Sequence, residues 1–431
     1  MPARLTRTTA AALSTLALTV AVAAPAGAAM PSTSGIGSRA GVVVVDLGTG
    51  KTLLSRAGSS RRIPASVTKL FTFGSALRLL GPEWTPRTRV VATGRASGDT
   101  WVGDLHLVGG GDPTLSTAAL RGLAGRTVQA LGVERLDGRL RVDATTFDDW
   151  QGGRRTGRSA DGDMGGRIGA ISVDRGARTT APAVRAGSLF RTALKTAGLT
   201  VGGTVVQDRT AAPETAATVA TQVGPTLAQL AAATLGPSDN YIAETILKDL
   251  SSRDGLEAAC RVRASLPPIA PETLVAEPPA AAACHTEAFA APSSTTATGS
   301  RLLRTTLRGL LGSTPHIVDG SGLTRDNRVS PTTVVRLLQK LDEDPNIGPV
   351  LRSALPQAGR TGTLAGRMRG TAAVGRCAAK TGTINGVSGL AGYCTTKSGR
   401  DVAFAILQNG GNVSSARAFQ DRFVARLAQV G

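Results

Sequence analysis

Apolar and polar positions divide the chain into segments of distinct texture. Residues 41–45 are a β-branched run that ends in the turn residues Leu47-Gly48-Thr49-Gly50, and residues 51–55 return from it, which predicts a hairpin. Pro64 then opens a helical pattern from Ser66 to about Leu80, with Val67, Leu70, Phe71, Ala76, Leu77 and Leu80 apolar and Gly81-Pro82 as the stop. Residues 89–222 differ: short strand-like pieces at 100–108, 139–143 and 199–207 alternate with Gly- and Arg-rich loops, which predicts a separate, mainly β insertion. Helical spacing returns at Thr226 and runs on to Leu250. Residues 253–293 are rich in Ala and Pro and predict few regular elements. Helices at 299–311 and 331–342, a strand pair at 376–394, a strand at 401–408 and a closing amphipathic helix at 415–429 complete the pattern. Strands at both ends with helices between predict one α/β domain (α+β in its ordering), formed by 30–88 and 223–431 and interrupted by 89–222.

The first 29 residues read as a signal peptide. Arg4 and Arg7 make the basic start, residues 10–24 the apolar stretch and Ala26-Gly27-Ala28 the cleavage site. The apolar stretch is short for a spanning helix, and no later segment approaches one, so a secreted chain without a transmembrane anchor is expected.

Composition refines this picture further. The formal charge of +19 implies attraction to anionic polymers of the cell envelope, where the leader would send the protein. Aromatic content is 3%, with no dense basic run, which argues against nucleic-acid binding. Of the 49 basic residues only seven are Lys, so Lys is kept for places where Arg does not serve. The four cysteines, Cys260, Cys284, Cys377 and Cys394, predict disulfides in an exported chain, with Cys260–Cys284 stapling the Ala/Pro-rich segment. The three His make no metal-ligand spacing, and neither a metal nor another cofactor is expected.

Three short motifs carry chemistry. In Ser66-Val67-Thr68-Lys69 the hydroxyl and the amine share a helix face at i and i+3, and a helix start favours a developing oxyanion while disfavouring a charged lysine. Ser238-Asp239-Asn240 stands at a turn into a helix, where a hydroxyl and a carboxamide can be aimed into a cleft. Lys380-Thr381-Gly382-Thr383 offers charge, hydroxyl donors and close backbone access to a carboxylate. Asn385-Gly386 is a strong hairpin signal, and folding about it pairs residues whose numbers sum to 771. Cys377 and Cys394 therefore face each other as a close, non-hydrogen-bonded pair, and a disulfide there would fix the register of the Lys380 strand.

Each motif alone is weak, and their order in one exported chain is specific: SxxK, SDN and KTG together mark penicillin-binding proteins and serine β-lactamases. With residues 105–114 (Leu-His-Leu-Val-Gly-Gly-Gly-Asp-Pro-Thr), 319–325 (Asp-Gly-Ser-Gly-Leu-Thr-Arg) and the 380–393 hairpin, the chain from about 40 to 430 resembles the D-alanyl-D-alanine carboxypeptidases/endopeptidases among the low-molecular-mass class C penicillin-binding proteins. The resemblance implies a transpeptidase-type domain holding all three motifs. It implies Ser66 as nucleophile, Lys69 as base and Ser238 as proton relay. Asn240 would hold Lys69 and a substrate amide, and Lys380, Thr381, Gly382 and Thr383 would bind the terminal carboxylate. The expected substrates are peptidoglycan stem peptides ending in D-Ala-D-Ala, with β-lactams as acylating inhibitors. A serine β-lactamase of the same fold and a non-catalytic peptidoglycan-binding envelope protein remain the alternatives.

Overall fold

The computed structural model describes residues 29–177, 179–265 and 294–431. The expected signal peptide, Cys284 and most of the Ala/Pro-rich segment lie outside the described residues.

A five-stranded antiparallel sheet organises the first and last parts of the chain. Its spatial order is Cys377–Ile384, Val387–Thr395, Asp401–Asn409, Ala40–Asp46, Thr52–Arg56. The Ala40–Asp46 strand is buried along its whole length because both faces are covered. Val43 and Val45 face a core with Leu70, Phe71, Leu247, Leu303 and Leu338. Val42 and Val44 face the opposite core, where Phe419 and Phe423 of the closing Val413–Leu427 helix pack against Phe404 and Ile406. That two-sided burial is why the strand reads as an unbroken apolar run and not as an alternation.

The Thr68–Leu80 helix runs through the first core, and every residue but Arg78 is buried. A helix buried all round is a core helix, here packed among Asn240–Asp249, Thr296–Leu311 and Pro331–Asp342. Ser66 itself stands one turn earlier, in a 3-10 turn spanning Ala65–Val67, so the regular helix begins after the serine.

Residues 87–223 form two further sheets. In one, Val205–Gln207, Leu140–Asp143, Leu105–Val108, Arg87–Ala92 and Ala217–Val223 lie side by side. The second is a smaller sheet of four short strands. Two helices, Thr117–Leu131 and Pro182–Thr196, pack on them and share a core from Val90 to Ala220. These helices add an α component to the strands expected here. Their signals were local: the Ser116 side chain caps Ala119 N–H, Gly132 ends the first helix at φ 63°, and Pro182 opens the second. Farther on, Arg253–Ser265 is helical, a regular element where few were expected.

Cys377 and Cys394 are cross-strand partners in the register counted from Asn385-Gly386, with Ile384 opposite Val387. They form a disulfide with a Cα–Cα separation of 4.0 Å, in keeping with a close, non-hydrogen-bonded pair.

Candidate active site

The three motifs meet in one cleft. Lys69 is fully buried, and its Nζ donates to Ser66 Oγ (3.0 Å), Asn240 Oδ1 (2.7 Å) and the Ser321 carbonyl (2.7 Å). Burial pushes the Lys69 ammonium down to about 8, opposed by the negative charges of Asp319, Glu244 and Asp239. An amine so placed exchanges a proton with the neighbouring hydroxyl near neutral pH. Ser66 is half-buried and stays reachable from the cleft.

Across the cleft Lys380 Nζ donates to Ser238 Oγ and to the Thr381 carbonyl, both at 2.8 Å. Lys380 is fully buried; its burial, and then the charge of Lys69, hold its ammonium well below the usual lysine range. Thr381 Oγ1 donates to Thr363 Oγ1 (2.9 Å), and Thr383 is exposed at the mouth. Gly382 is required by contact: a Cβ there would lie 2.6 Å from the Pro64 carbonyl and 3.1 Å from Ser66 N, so the strand rests directly on the Ser66 turn.

Backbone strain marks both serine turns. Ala65, just before Ser66, has φ 48° and Ser238 has φ 69°, left-handed values that cost a non-glycine residue about 1–2 kcal/mol. Asp239 caps the Asn240–Asp249 helix by accepting from Ile242 N (2.9 Å), which aims Ser238 and Asn240 to the cleft side. Residues between 87 and 223 brace this turn. Arg175 pairs with Asp239 and lies 5.1 Å from the Tyr241 ring centroid, and Asn240 Nδ2 donates to the Asp163 carbonyl at 2.7 Å.

Two buried carboxylates hold this arrangement, Glu244 outside every motif and Asp319 within the 319–325 stretch. Glu244 lies one turn beyond Asn240; its Oε1 accepts from Gly320 N (3.0 Å), Ser321 N (2.8 Å) and Ser321 Oγ (2.6 Å). Asp319 accepts from Gly322 N, Thr324 N and Asn327 Nδ2. The 319–324 loop is thus clamped by two buried carboxylates, which holds the Ser321 carbonyl on Lys69. Burial, then the charge of Asp319, raises Glu244 to about 7. A charged residue at i+4 from Asn240, between Ala243 and Ile246, was the available signal. Lys248, one turn further, is likewise buried and binds Asp148 Oδ1 (2.5 Å) and the Trp150 carbonyl (2.9 Å). Of the seven Lys, three (Lys69, Lys248 and Lys380) are buried, whereas Lys51, Lys195, Lys340 and Lys397 are exposed, so rarity alone did not mark the buried ones. His106 is buried in its strand beside Asp208, away from the three motifs in sequence and in element. Among the described residues no cluster of three or more His, Cys, Asp or Glu is suited to a metal ion.

A sheet between helical layers, with a hydroxyl–amine pair, a second hydroxyl and a Lys-Thr-Gly strand around one cleft, defines the fold class of penicillin-binding-type peptidases. The chain belongs to the D-Ala-D-Ala carboxypeptidase 3 (S13) family, whose model matches residues 29–165, 169–264 and 284–430. It is 31% identical to a D-alanyl-D-alanine carboxypeptidase of Actinomadura sp. (strain R39), covering 91% of this chain and 82% of that one. It is 28% identical to a carboxypeptidase of Mycobacterium tuberculosis, covering 89% and 81%. The crystal structure of penicillin binding protein 4 from Haemophilus influenzae shares the fold with a TM-score of 0.70 at 19% identity, over 89% of this chain and 96% of that one.

Proposed function

We propose that this protein is a serine D-alanyl-D-alanine carboxypeptidase that trims the terminal D-Ala from peptidoglycan stem peptides. The observation that carries the reading is the fully buried Lys69 amine, 3.0 Å from Ser66 Oγ and 2.7 Å from Asn240 Oδ1. In its neutral form Lys69 takes the Ser66 proton as Oγ bonds to the penultimate D-Ala carbonyl carbon. The backbone N–H groups of Ser66 and Thr383 receive the oxyanion. The C–N bond then breaks with its electron pair on nitrogen; Ser238, held by Lys380, passes its proton to the departing amine and recovers one from the Lys69 ammonium, which leaves Lys69 neutral again. Water attacks the ester, gives a proton to Lys69 and restores the Ser66 hydroxyl. Thr381, Gly382 and Thr383 line the place for the terminal carboxylate. β-Lactams, which carry a strained amide and a carboxylate, acylate Ser66 by the same first step.

The same reading places the protein outside the cytoplasmic membrane, exported by its leader and drawn to anionic wall polymers by its positive charge. Residues 89–222 act as an inserted domain whose Arg175 and Asp163 brace the second motif. Among the described residues no helix is long and apolar enough to cross a membrane.

The test is labelling with a fluorescent penicillin, wild type against Ser66→Ala, followed by D-Ala release from a muramyl pentapeptide. Labelled wild type, unlabelled variant and released D-Ala are expected. An unlabelled wild type rejects the enzyme reading. Rapid loss of label with no D-Ala release assigns a β-lactamase instead.

A further inference from the structure

We propose that Arg417 is a specificity-determining residue of this site: its guanidinium, acting beside Thr383, supplies the fixed positive charge that selects peptides with a free terminal carboxylate. The inference rests on the functional reading above and deepens it.

Four observations converge on this residue. Arg417 Nη2 donates to Thr383 Oγ1 at 3.0 Å, and Thr383 is the exposed outer hydroxyl of the Lys380-Thr381-Gly382-Thr383 strand. Arg417 is itself exposed, and no carboxylate among the described residues pairs with it. Of the nearby guanidiniums, Arg367 already pairs with Asp421 (2.7 Å), and Arg325 donates to the Asn385 carbonyl (2.9 Å). Lys380, the charge that the motif itself offers, is buried and turned inward to Ser238 and the Thr381 carbonyl.

The chemistry follows from the difference between the two cations. A buried amine directed at a hydroxyl and a carbonyl is poorly placed to neutralise an incoming carboxylate, and burial works against its protonation. A guanidinium stays charged at any working pH and offers a planar fork of donors that fits a carboxylate's two oxygens. With Thr383 Oγ1 accepting from Arg417, the Thr383 O–H is left to donate toward the cleft. Hydroxyl and guanidinium together make a charge-assisted seat at the strand's outer end. The ligand class is thus any acyl donor carrying a carboxylate one residue beyond the scissile bond.

The experiment compares kcat/KM for two peptides that differ only at the C-terminus, one a free D-Ala-D-Ala carboxylate and the other its carboxamide, in wild type, Arg417→Gln and Arg417→Ala. Both variants are expected to lose roughly 10–100-fold on the carboxylate peptide, the scale of a hydrogen bond to a charged group, and far less on the carboxamide. Acylation by penicillin, which bears a carboxylate, should slow in parallel. Equal losses on both peptides, or an unchanged preference, overturn the proposal and leave Arg417 as a brace of the strand. A wild type that turns over neither peptide and takes no penicillin overturns the functional reading, and this inference falls with it.

Discussion

Two interiors of this molecule are built on opposite principles. The core between Val90 and Ala220 is filled by Val, Leu, Ile, Ala and one Phe, with buried Asp208 beside it paired to the partly exposed Arg141. The interior around Lys69 instead encloses two lysines and two carboxylates, each fully buried or nearly so. Burying charge is costly unless partners compensate, and Lys69, Lys380, Glu244 and Asp319 all keep hydrogen bonds. Apolar packing stabilises without chemistry, whereas the polar interior gives up stability to hold amines whose pKa burial lowers. Such perturbed groups in a cleft are the mark of a functional site.

The contrast yields predictions that can break it. Replacing the proposed base, Lys69→Met, is expected to slow penicillin acylation by about 10²–10⁴-fold, the range of general base catalysis, with a folded protein remaining by circular dichroism. A loss below tenfold would deny Lys69 the role its geometry offers. In the other interior, Phe190→Ala should cost about 3–5 kcal/mol in thermal or denaturant unfolding, yet leave the acylation rate of the folded fraction unchanged. If acylation fell along with stability, the two interiors would be coupled and the comparison would fail.

Removing the hairpin disulfide by Cys377→Ala with Cys394→Ala should cost about 2–4 kcal/mol, because it closes a loop with a sequence separation of 17. Acylation should weaken only modestly, since the backbone ladder still holds the strand. The smallest effect sharpens the electrostatic side. With Lys69 lowered to about 8, the neutral base grows as pH rises through that value, so kcat/KM for acylation should climb on a limb near pH 8. Glu244→Gln removes one of the negative charges that hold the Lys69 proton, so that limb should move to lower pH. A limb that stays in place would restrict Glu244 to holding the 319–324 loop. For stability the sign is also set: the unfolded chain holds the Lys69 proton up to about pH 10.4 and the folded chain only to about 8, so this residue makes stability rise with pH between those values.

Much of the scaffold was legible in the sequence. The 41–45 run, the hairpin about Asn385-Gly386 and the Pro331–Asp342 helix all stand where pattern and turn chemistry put them. The Thr117–Leu131 and Pro182–Thr196 helices were masked by Gly- and Arg-rich surroundings, although Ser116, Gly132 and Pro182 carried their caps. Of the site, the residues inside motifs were visible and those outside were not. Glu244 and Arg417 look like ordinary charged helix residues until the 319–324 loop is seen on one and Thr383 beside the other.

What the sequence determined by itself is local: Ser66 and Lys69 three residues apart near a helix start, and Cys377 opposite Cys394 by counting out from a two-residue turn. Such relations follow from the repeat of the backbone, which needs no distant partner. Only the tertiary structure decided that Lys69 meets Asn240, 171 residues away, and that Lys380 meets Ser238, 142 away. It alone also decided the protonation of those lysines, because burial and the field of neighbouring charges belong to the folded interior and to no short stretch of chain.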